Sequence, residues 1–343
     1  MLPTLLLAAL LAAAPKHHAH ASPRPVEHPG AKAFARELAR EAAVTHPGLS
    51  AKHIEQALAK ARYQQSIIDA ITRPAESKPW KDYRPLFLGQ ARIDQGIAFY
   101  EAERASLMAL SERHGVPPEI VVAIVGVETQ YGKNLGKYKA LDALATLAFH
   151  YPPREEFFRG ELKQLFLLEG PAFPYKIEEL QGSYAGAMGM GQFMPSSIAR
   201  HAVDGDGDGR LDLWRSRDDA LASVANYLEN YGWERGAPIA DPASVPEGMD
   251  VAALEAQGLE PRYTVGALAA VGVTAAVARA PEMPVSLLGL DGASGREHWL
   301  TYRNFYVLSR YNRSPLYCMA VHQLALAIAA GVPPKPAQAP ATP

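Results

Sequence analysis

Cysteine is nearly missing from this chain. Cys318 stands alone among 343 residues, which rules out an intramolecular disulfide framework and any CxxC metal or redox motif. It lies beside Met319 in an apolar run, as a packed core thiol would, and a nucleophile is the other reading. Surplus charge of one sign is missing too: 34 Lys and Arg face 36 Asp and Glu, a formal net charge of −2. Neither a nucleic-acid partner nor an acidic lipid surface therefore has an electrostatic basis. The long apolar run at the N-terminus, MLPTLLLAALLAAAPKHHAHASPRP, holds about a dozen unbroken apolar residues, too few to span a bilayer but suited to a secretory signal.

Ala19-His20-Ala21 supplies an A-x-A cleavage pattern behind that run, although the n-region ahead of the run lacks a Lys or Arg. Export with cleavage after residue 21 is the expectation, and a plain apolar tail is the alternative. No cysteine follows to carry a lipid anchor, so a soluble, exported, periplasmic protein is expected. His17, His18 and His20 could bind a metal, but they precede the cleavage point.

What the chain does contain is helical punctuation. Its length admits one large domain or two. Residues 31–72 read as helices from i, i+3, i+4 apolar spacing, with Ser50 capping the second. Residues 73–89, rich in proline and aromatics, read as loop. A long amphipathic helix is expected from Ile93 to Arg113, stopped by Gly115. Pro117-Pro118-Glu119 opens the next, since proline is tolerated in a first turn and an acid suits the positive dipole end. The β-branched run behind it could instead be a buried strand, but the start signal points to a helix ended by Gly132.

That helix carries eight small or apolar residues into a lone carboxylate, Glu128. In the last turn, burial and the negative dipole end both disfavour the ionised form. A carboxylic acid held protonated near neutral pH is a general acid. The competing reading is a partly exposed glutamate paired with Lys133 or Lys137.

Two further stretches carry chemistry. Gly182 to Ile198 interleaves glycines with Tyr184, Met188, Met190 and Phe193, as suits a loop where a ligand approaches backbone; a tight helix-packing turn is the alternative. It lacks the lysine of a phosphate loop. Then Asp204-Gly-Asp-Gly-Asp-Gly-Arg-Leu-Asp places acids at positions 1, 3 and 5, glycine at 6, the Arg210 carbonyl at 7 and Asp212 at 9 of an EF-hand loop. Arg215 occupies position 12, so the last oxygen must come from Asp219 or Asp218. A structural calcium ion is expected over an acidic turn, and a single loop points away from a calcium switch.

Taken in order, Gly-Val-Glu-Thr-x-Tyr-Gly, Leu-Asp-Ala-Leu-Ala-Thr-Leu-Ala-Phe, Gly-Ala-Met-Gly-Met-Gly-Gln-Phe-Met-Pro-Ser-Ser, the Asp-rich loop, Ser-Val-Ala-Asn-Tyr-Leu and Asn-Phe-Tyr-Val-Leu-Ser-Arg-Tyr-Asn-Arg-Ser-Pro-Leu-Tyr-Cys-Met-Ala-Val resemble the membrane-bound lytic transglycosylase B type of murein hydrolase. The likeness runs from about residue 30 to 331. It implies a mainly α (α+β) protein: a lysozyme-like catalytic core with an N-terminal helical subdomain and a small β-subdomain. It also implies non-hydrolytic cleavage of the β-1,4 bond between N-acetylmuramic acid and N-acetylglucosamine in peptidoglycan glycan strands, leaving a 1,6-anhydromuramic end.

Glu128 matches the single catalytic acid of that family, and the 2-acetamido group of the substrate replaces the second carboxylate that ordinary glycosidases use. The resemblance places Ser183 and Gln192 in the sugar groove, with Tyr227, Tyr311, Asn312 and Tyr317, and Tyr83 as a further match. Tyrosines suit sugars because a ring stacks on the C–H face while the hydroxyl bonds the rim. Arg154 matches the second of two family arginines suited to carboxylates; the first is Pro153 here. The calcium loop would use Asp204, Asp206, Asp208, the Arg210 carbonyl and Asp219. No organic cofactor is implied, and a monomer is expected. The implied division is signal peptide 1–21, linker 22–29, helical subdomain 30–81, catalytic core 82–236, β-subdomain 237–298, return to the core over 299–331, and a disordered tail 332–343.

Overall fold

The computed structural model describes residues 28–72 and 78–333. The expected signal peptide, the three leader histidines and nearly all of the tail lie outside them.

Three N-terminal helices, α1 (Ala31–Glu41), α2 (Ala51–Lys60) and α3 (Gln65–Ile71), turn Phe34, Leu38, Ile54, Leu58 and Ile67 into the same continuous core that the later helices fill. Ser50 caps α2 by accepting from the His53 amide. The stretch read as loop contains a one-turn helix, α4 (Trp80–Tyr83), and a 3-10 turn, Arg84–Leu86. Trp80, Tyr83 and Phe87 are buried there; aromatic burial holds what the proline-rich sequence does not favour.

The long helix expected over 93–113 is two. α5 (Gln90–Ala102) and α6 (Arg104–His114) break at Glu103, which leaves helical geometry with φ −106° and ψ 14°. Both pieces pack on α7 (Pro118–Thr129), but the break gives each a further partner of its own: α15 (Pro315–Gly331) for α5 and α11 (Arg217–Asn230) for α6. Periodicity alone shows no such change of partner.

α7 is the hub. Proline opens it with Glu119 in the first turn, and from Ile120 to Thr129 every residue is buried. It stops at Thr129, not at Gly132, because Gln130 already enters the left-handed region. α15, α5, α11 and α6 pack directly on it, and α8 (Ala140–His150), α9 (Glu155–Leu167), α10 (Pro195–His201) and α14 (Arg303–Tyr311) complete the helical layer. No single helix among the described residues is long and apolar enough to cross a membrane; α14 and α15 reach that composition only as a pair, bent by 113°.

Among the described residues, two antiparallel sheets complete the fold. β1 (Tyr138–Lys139) pairs with β2 (Gln181–Gly182), bringing the glycine-rich loop beside the chain that leaves α7. The second sheet has the order β4-β6-β7-β3-β5. Its centre is the hairpin of β6 (Pro284–Gly292) and β7 (Gly295–Thr301), flanked by β3 (Ala240–Ser244), β4 (Tyr263–Thr264) and β5 (Thr274–Ala275). Val251, Leu268, Val273, Val285, Leu287, Leu300 and Tyr302 form its separate small core. Two short helices, α12 (Ala252–Glu255) and α13 (Val265–Ala270), cover it.

Candidate active site

Glu128 sits next to the last residue of α7 and is only 7% exposed. Its setting is built by an unusual helix end: Gln130, Tyr131 and Gly132 take successive left-handed conformations, with φ 52°, 60° and 81°. Such geometry is strained for non-glycine residues and persists only where packing fixes it. Here the Tyr131 ring fits between Gly96 and Gly126, where an added Cβ would approach its atoms to 2.5 and 2.6 Å. The Tyr131 hydroxyl donates to the Arg92 carbonyl at 2.8 Å, and the Arg92 guanidinium donates back to the Gly126 carbonyl.

The glycine-rich loop is tied down by its own backbone. The Ser183 amide donates to the Ala187 carbonyl at 2.8 Å, and Met188 and Phe193 exchange two bonds of 2.9 Å each. The Met190 amide reaches the Leu213 carbonyl at 2.9 Å. A Cβ at Gly136 would lie 2.0 Å from the Gly182 carbonyl oxygen, so the close approach of the two chains demands glycine there. Ser183 Oγ accepts from the amides of Ala185 and Ala187 at 3.3 and 3.1 Å, which directs its hydroxyl proton elsewhere.

Gln192 is held at φ 50°, with Nε2 donating to the Gly189 carbonyl at 3.0 Å. Its Oε1 is buried and unbonded, as is Nδ2 of Asn312. An open acceptor and an open donor are what a sugar hydroxyl or acetamido group would satisfy, and leaving them unmet costs about 1–3 kcal/mol each.

The tyrosines form a chain of rings. Tyr317 and Tyr311 stack at 6.5 Å with an interplanar angle of 6°. Tyr311 meets Tyr227 at 4.7 Å, and Phe193 lies 5.5 Å from Tyr311 and 5.9 Å from Tyr227. Burial first, then the negative charge of Glu128, pushes the Tyr311 and Tyr317 hydroxyls well above the usual phenol range. Both therefore stay protonated beside the carboxylate, with the Tyr311 hydroxyl donating to the Gly191 carbonyl. The structure thus brings Glu128, Tyr311 and Tyr317 together and carries the ring chain on to Tyr227 and the loop of Gln192.

Tyr83 and Arg154 are placed differently. Tyr83 has no exposed surface, and its ring lies against Phe87 at 5.1 Å. The Arg154 guanidinium stacks on Phe157 and Phe158 at 4.4 and 4.9 Å.

Two residues that sequence reasoning passed over position the site. Thr129 donates to the Met190 carbonyl at 2.8 Å, linking the neighbour of Glu128 to the glycine-rich loop. Glu161 bonds the Ser196 amide at 2.9 Å and its hydroxyl at 2.7 Å, capping α10 where the loop ends. Its signal was visible: an acid on the Phe158, Leu162, Leu165 face of α9.

In the Asp-rich loop, ligand oxygens of Asp204, Asp206 and Asp219 lie within 4.8 Å of one another. Asp219 comes in from α11, 1% exposed, accepting from the amides of Gly205 and Asp212 at 2.8 and 2.7 Å. Asp218 instead turns to the Ser106 hydroxyl, which favours Asp219 as the last oxygen. Asp208 accepts from the Arg210 amide at 2.8 Å. Asp212 turns away to the Tyr175 hydroxyl and the Trp214 amide. A cluster of hard carboxylate oxygens on an EF-hand spacing fits a calcium ion.

A buried acid at a helix end, open amide groups and a tract of tyrosine rings describe enzymes that cleave glycans through one carboxylate. Residues 30–326 match the family model described as the transglycosylase SLT domain. The chain is 38% identical over 296 residues, 83% of its own length and 80% of the relative's, to membrane-bound lytic murein transglycosylase B of Escherichia coli K12. Two solved structures are also similar. One is the Escherichia coli lytic transglycosylase Slt35 in complex with calcium, at 37% identity and TM-score 0.78, covering 89% of this chain and 94% of that one. The other is SltB3 of Pseudomonas aeruginosa with NAG-anhNAM-pentapeptide, at 31% identity and TM-score 0.74, covering 87% and 80%. The chain belongs to the transglycosylase SLT domain family, and its fold is the lysozyme-like one of lytic transglycosylases.

Proposed function

We propose that Glu128 alone performs the chemistry of this lytic transglycosylase, as acid and then as base, on the β-1,4 bond between N-acetylmuramic acid and N-acetylglucosamine of peptidoglycan. One observation carries the reading: Glu128 is the buried carboxylate beside Tyr311 and Tyr317, and every other buried carboxylate among the described residues is engaged elsewhere. Asp142 accepts from the Arg62 amide and Gln64, Glu161 holds Ser196, Asp219 belongs to the metal loop, and Asp241 pairs with Arg279. Among the buried carboxylates of the described residues, Glu128 is therefore the one placed at the tyrosine tract, as a single-acid mechanism requires.

Protonated Glu128 gives its proton to the leaving glycosidic oxygen. As carboxylate it then takes the proton of the muramic C6 hydroxyl, which closes the 1,6-anhydro ring while the 2-acetamido group supports the cation. Ser183 suits that acetamido group, and Gln192, Asn312, Tyr227, Tyr311 and Tyr317 the remaining saccharide contacts. Arg154 suits carboxylates of the stem, and Tyr83 backs the groove from within the core. The relative solved with NAG-anhNAM-pentapeptide supports this product class.

Asp204, Asp206, Asp208, the Arg210 carbonyl and Asp219 would hold calcium, in keeping with the relative solved with that ion. Bound calcium supplies the positive charge that keeps the acidic loop closed. The reading divides the chain into helical subdomain, catalytic core and β-subdomain near residues 81, 236 and 298, in a monomeric exported protein acting in the periplasm. Mass spectrometry of muropeptides released from purified peptidoglycan tests the chemistry. Ends lacking one water support it, and reducing ends would make the enzyme a muramidase.

A further inference from the structure

Helix α14 shows solvent only three of its residues, Arg303, Tyr306 and Arg310; the rest are buried. The spacing i, i+3, i+7 puts them on one face. Arg303 lies 5.4 Å from the Tyr306 ring centre, and Arg310 lies 5.9 Å from that ring and 5.5 Å from Tyr231. Stacking on aromatic faces fixes a guanidinium in place and leaves its edge N–H groups pointing outward. Arg303 uses one of these on the Tyr231 carbonyl at 3.3 Å.

Neither arginine makes an ion pair among the described residues, although Arg104, Arg159, Arg217, Arg279 and Arg296 all do. Arg200 on α10 adds a third cation: its Nε donates to the Ser196 carbonyl at 3.0 Å, and its charge acts on Tyr227 together with that of Arg310. Two positioned, unpaired guanidinium groups form a docking fork for carboxylates.

This corner is joined to the Glu128 site through packed, buried rings. Tyr231 lies 4.7 Å from Tyr227, which lies 4.7 Å from Tyr311. The Tyr227 hydroxyl donates to the backbone carbonyl of Arg310 itself. The stripe thus lies on the same side of the core as the rings that lead to Glu128, and a peptide stem ending in carboxylates has the chemistry complementary to its unpaired guanidinium groups.

We propose that Arg303 and Arg310, set on Tyr231 and Tyr306, form a subsite for carboxylates of the peptide stem. This rests on the peptidoglycan reading above and makes stem charge a determinant of substrate choice.

The test compares peptidoglycan strands whose stems keep free carboxylates with the same strands after those groups are converted to carboxamides. Wild-type kcat/KM should favour the charged strands by about two- to fivefold, as expected for partly exposed charge pairs, and the preference should fall with salt. Arg303→Gln and Arg310→Gln should each pull the ratio toward one. A wild-type ratio near one, or an unchanged ratio in both variants, would overturn the proposal. Calorimetric binding of both strands to the Glu128→Gln protein reads the same ratio without turnover. A wild type that released no product from either strand would thus sink the catalytic reading while the affinity ratio still decided the subsite.

Discussion

Thr129 and Met190 are joined by a hydrogen bond of 2.8 Å from the threonine hydroxyl to the methionine carbonyl. The same hydroxyl oxygen accepts from the Gly132 amide at 3.1 Å. One side chain thereby fixes the end of the helix that bears Glu128 against the loop that carries Gln192. Thr129→Val keeps the shape but leaves two backbone groups unmet in a position that is 1% exposed. The loss of stability should be about 1–3 kcal/mol, read by denaturant unfolding, with kcat falling alongside. Wild-type stability and turnover would mean the bond is incidental.

Glu128→Gln should lower turnover about a thousandfold or more, since an amide can neither give nor take the proton. Shape is conserved and a buried ionisable group is replaced by a neutral one, so the melting temperature should hold or rise. Muropeptide release at the wild-type rate would exclude Glu128 as the acid.

How far such a site can be read from sequence is clear at α7. Its start was legible because Pro118 and Glu119 are local signals, and the isolation of Glu128 in an apolar run marked it as a buried carboxylate. Its end was not legible. Gln130 and Tyr131 adopt left-handed backbone that neither residue favours, held by Gly96, Gly126 and the Arg92 carbonyl from another helix. The same limit hid the break at Glu103, where the two halves find different partners. Among functional residues, those with chemistry in their side chains stood out. Glu161 was hidden because its task is to hold Ser196, and only its place on an apolar face betrayed it.

Calcium removal should separate Asp219 from Asp218. Chelation should lower the melting temperature of the wild type, because repelling carboxylates then lose their counter-charge. Asp219→Ala should abolish that calcium dependence, while Asp218→Ala, directed at Ser106, should keep it. Scanning calorimetry with and without chelator checks both; equal responses would reassign the last ligand.

Acid should destabilise the fold through His322. Burial pushes its imidazole down from 6.5 to about 4, so the unfolded chain binds its proton first. The neutral form contributes stability above pH 6.5 that is lost as pH falls toward 4, roughly 2–4 kcal/mol at the lower end. His28 and His150 shift in the same direction, so the comparison must be between variants. His322→Gln should unfold with a shallower slope between pH 6.5 and 4 than the wild type, and parallel slopes would refute the assignment.

Gly126→Ala sets two effects against each other. Inside a helix, alanine is favoured over glycine by about 1 kcal/mol. At this position, however, the new Cβ would stand 2.6 Å from a ring carbon of Tyr131, and overpacking a fixed core costs about 1–3 kcal/mol. Tyr131 cannot yield easily, because Gly96 backs its hydroxyl and the Arg92 carbonyl holds it. The steric effect should therefore win, with a lower melting temperature and a kcat reduced more than KM as the helix end bearing Glu128 shifts. A more stable variant with full activity would show that the ring moves freely, and that the left-handed turn after Thr129 does not position the acid.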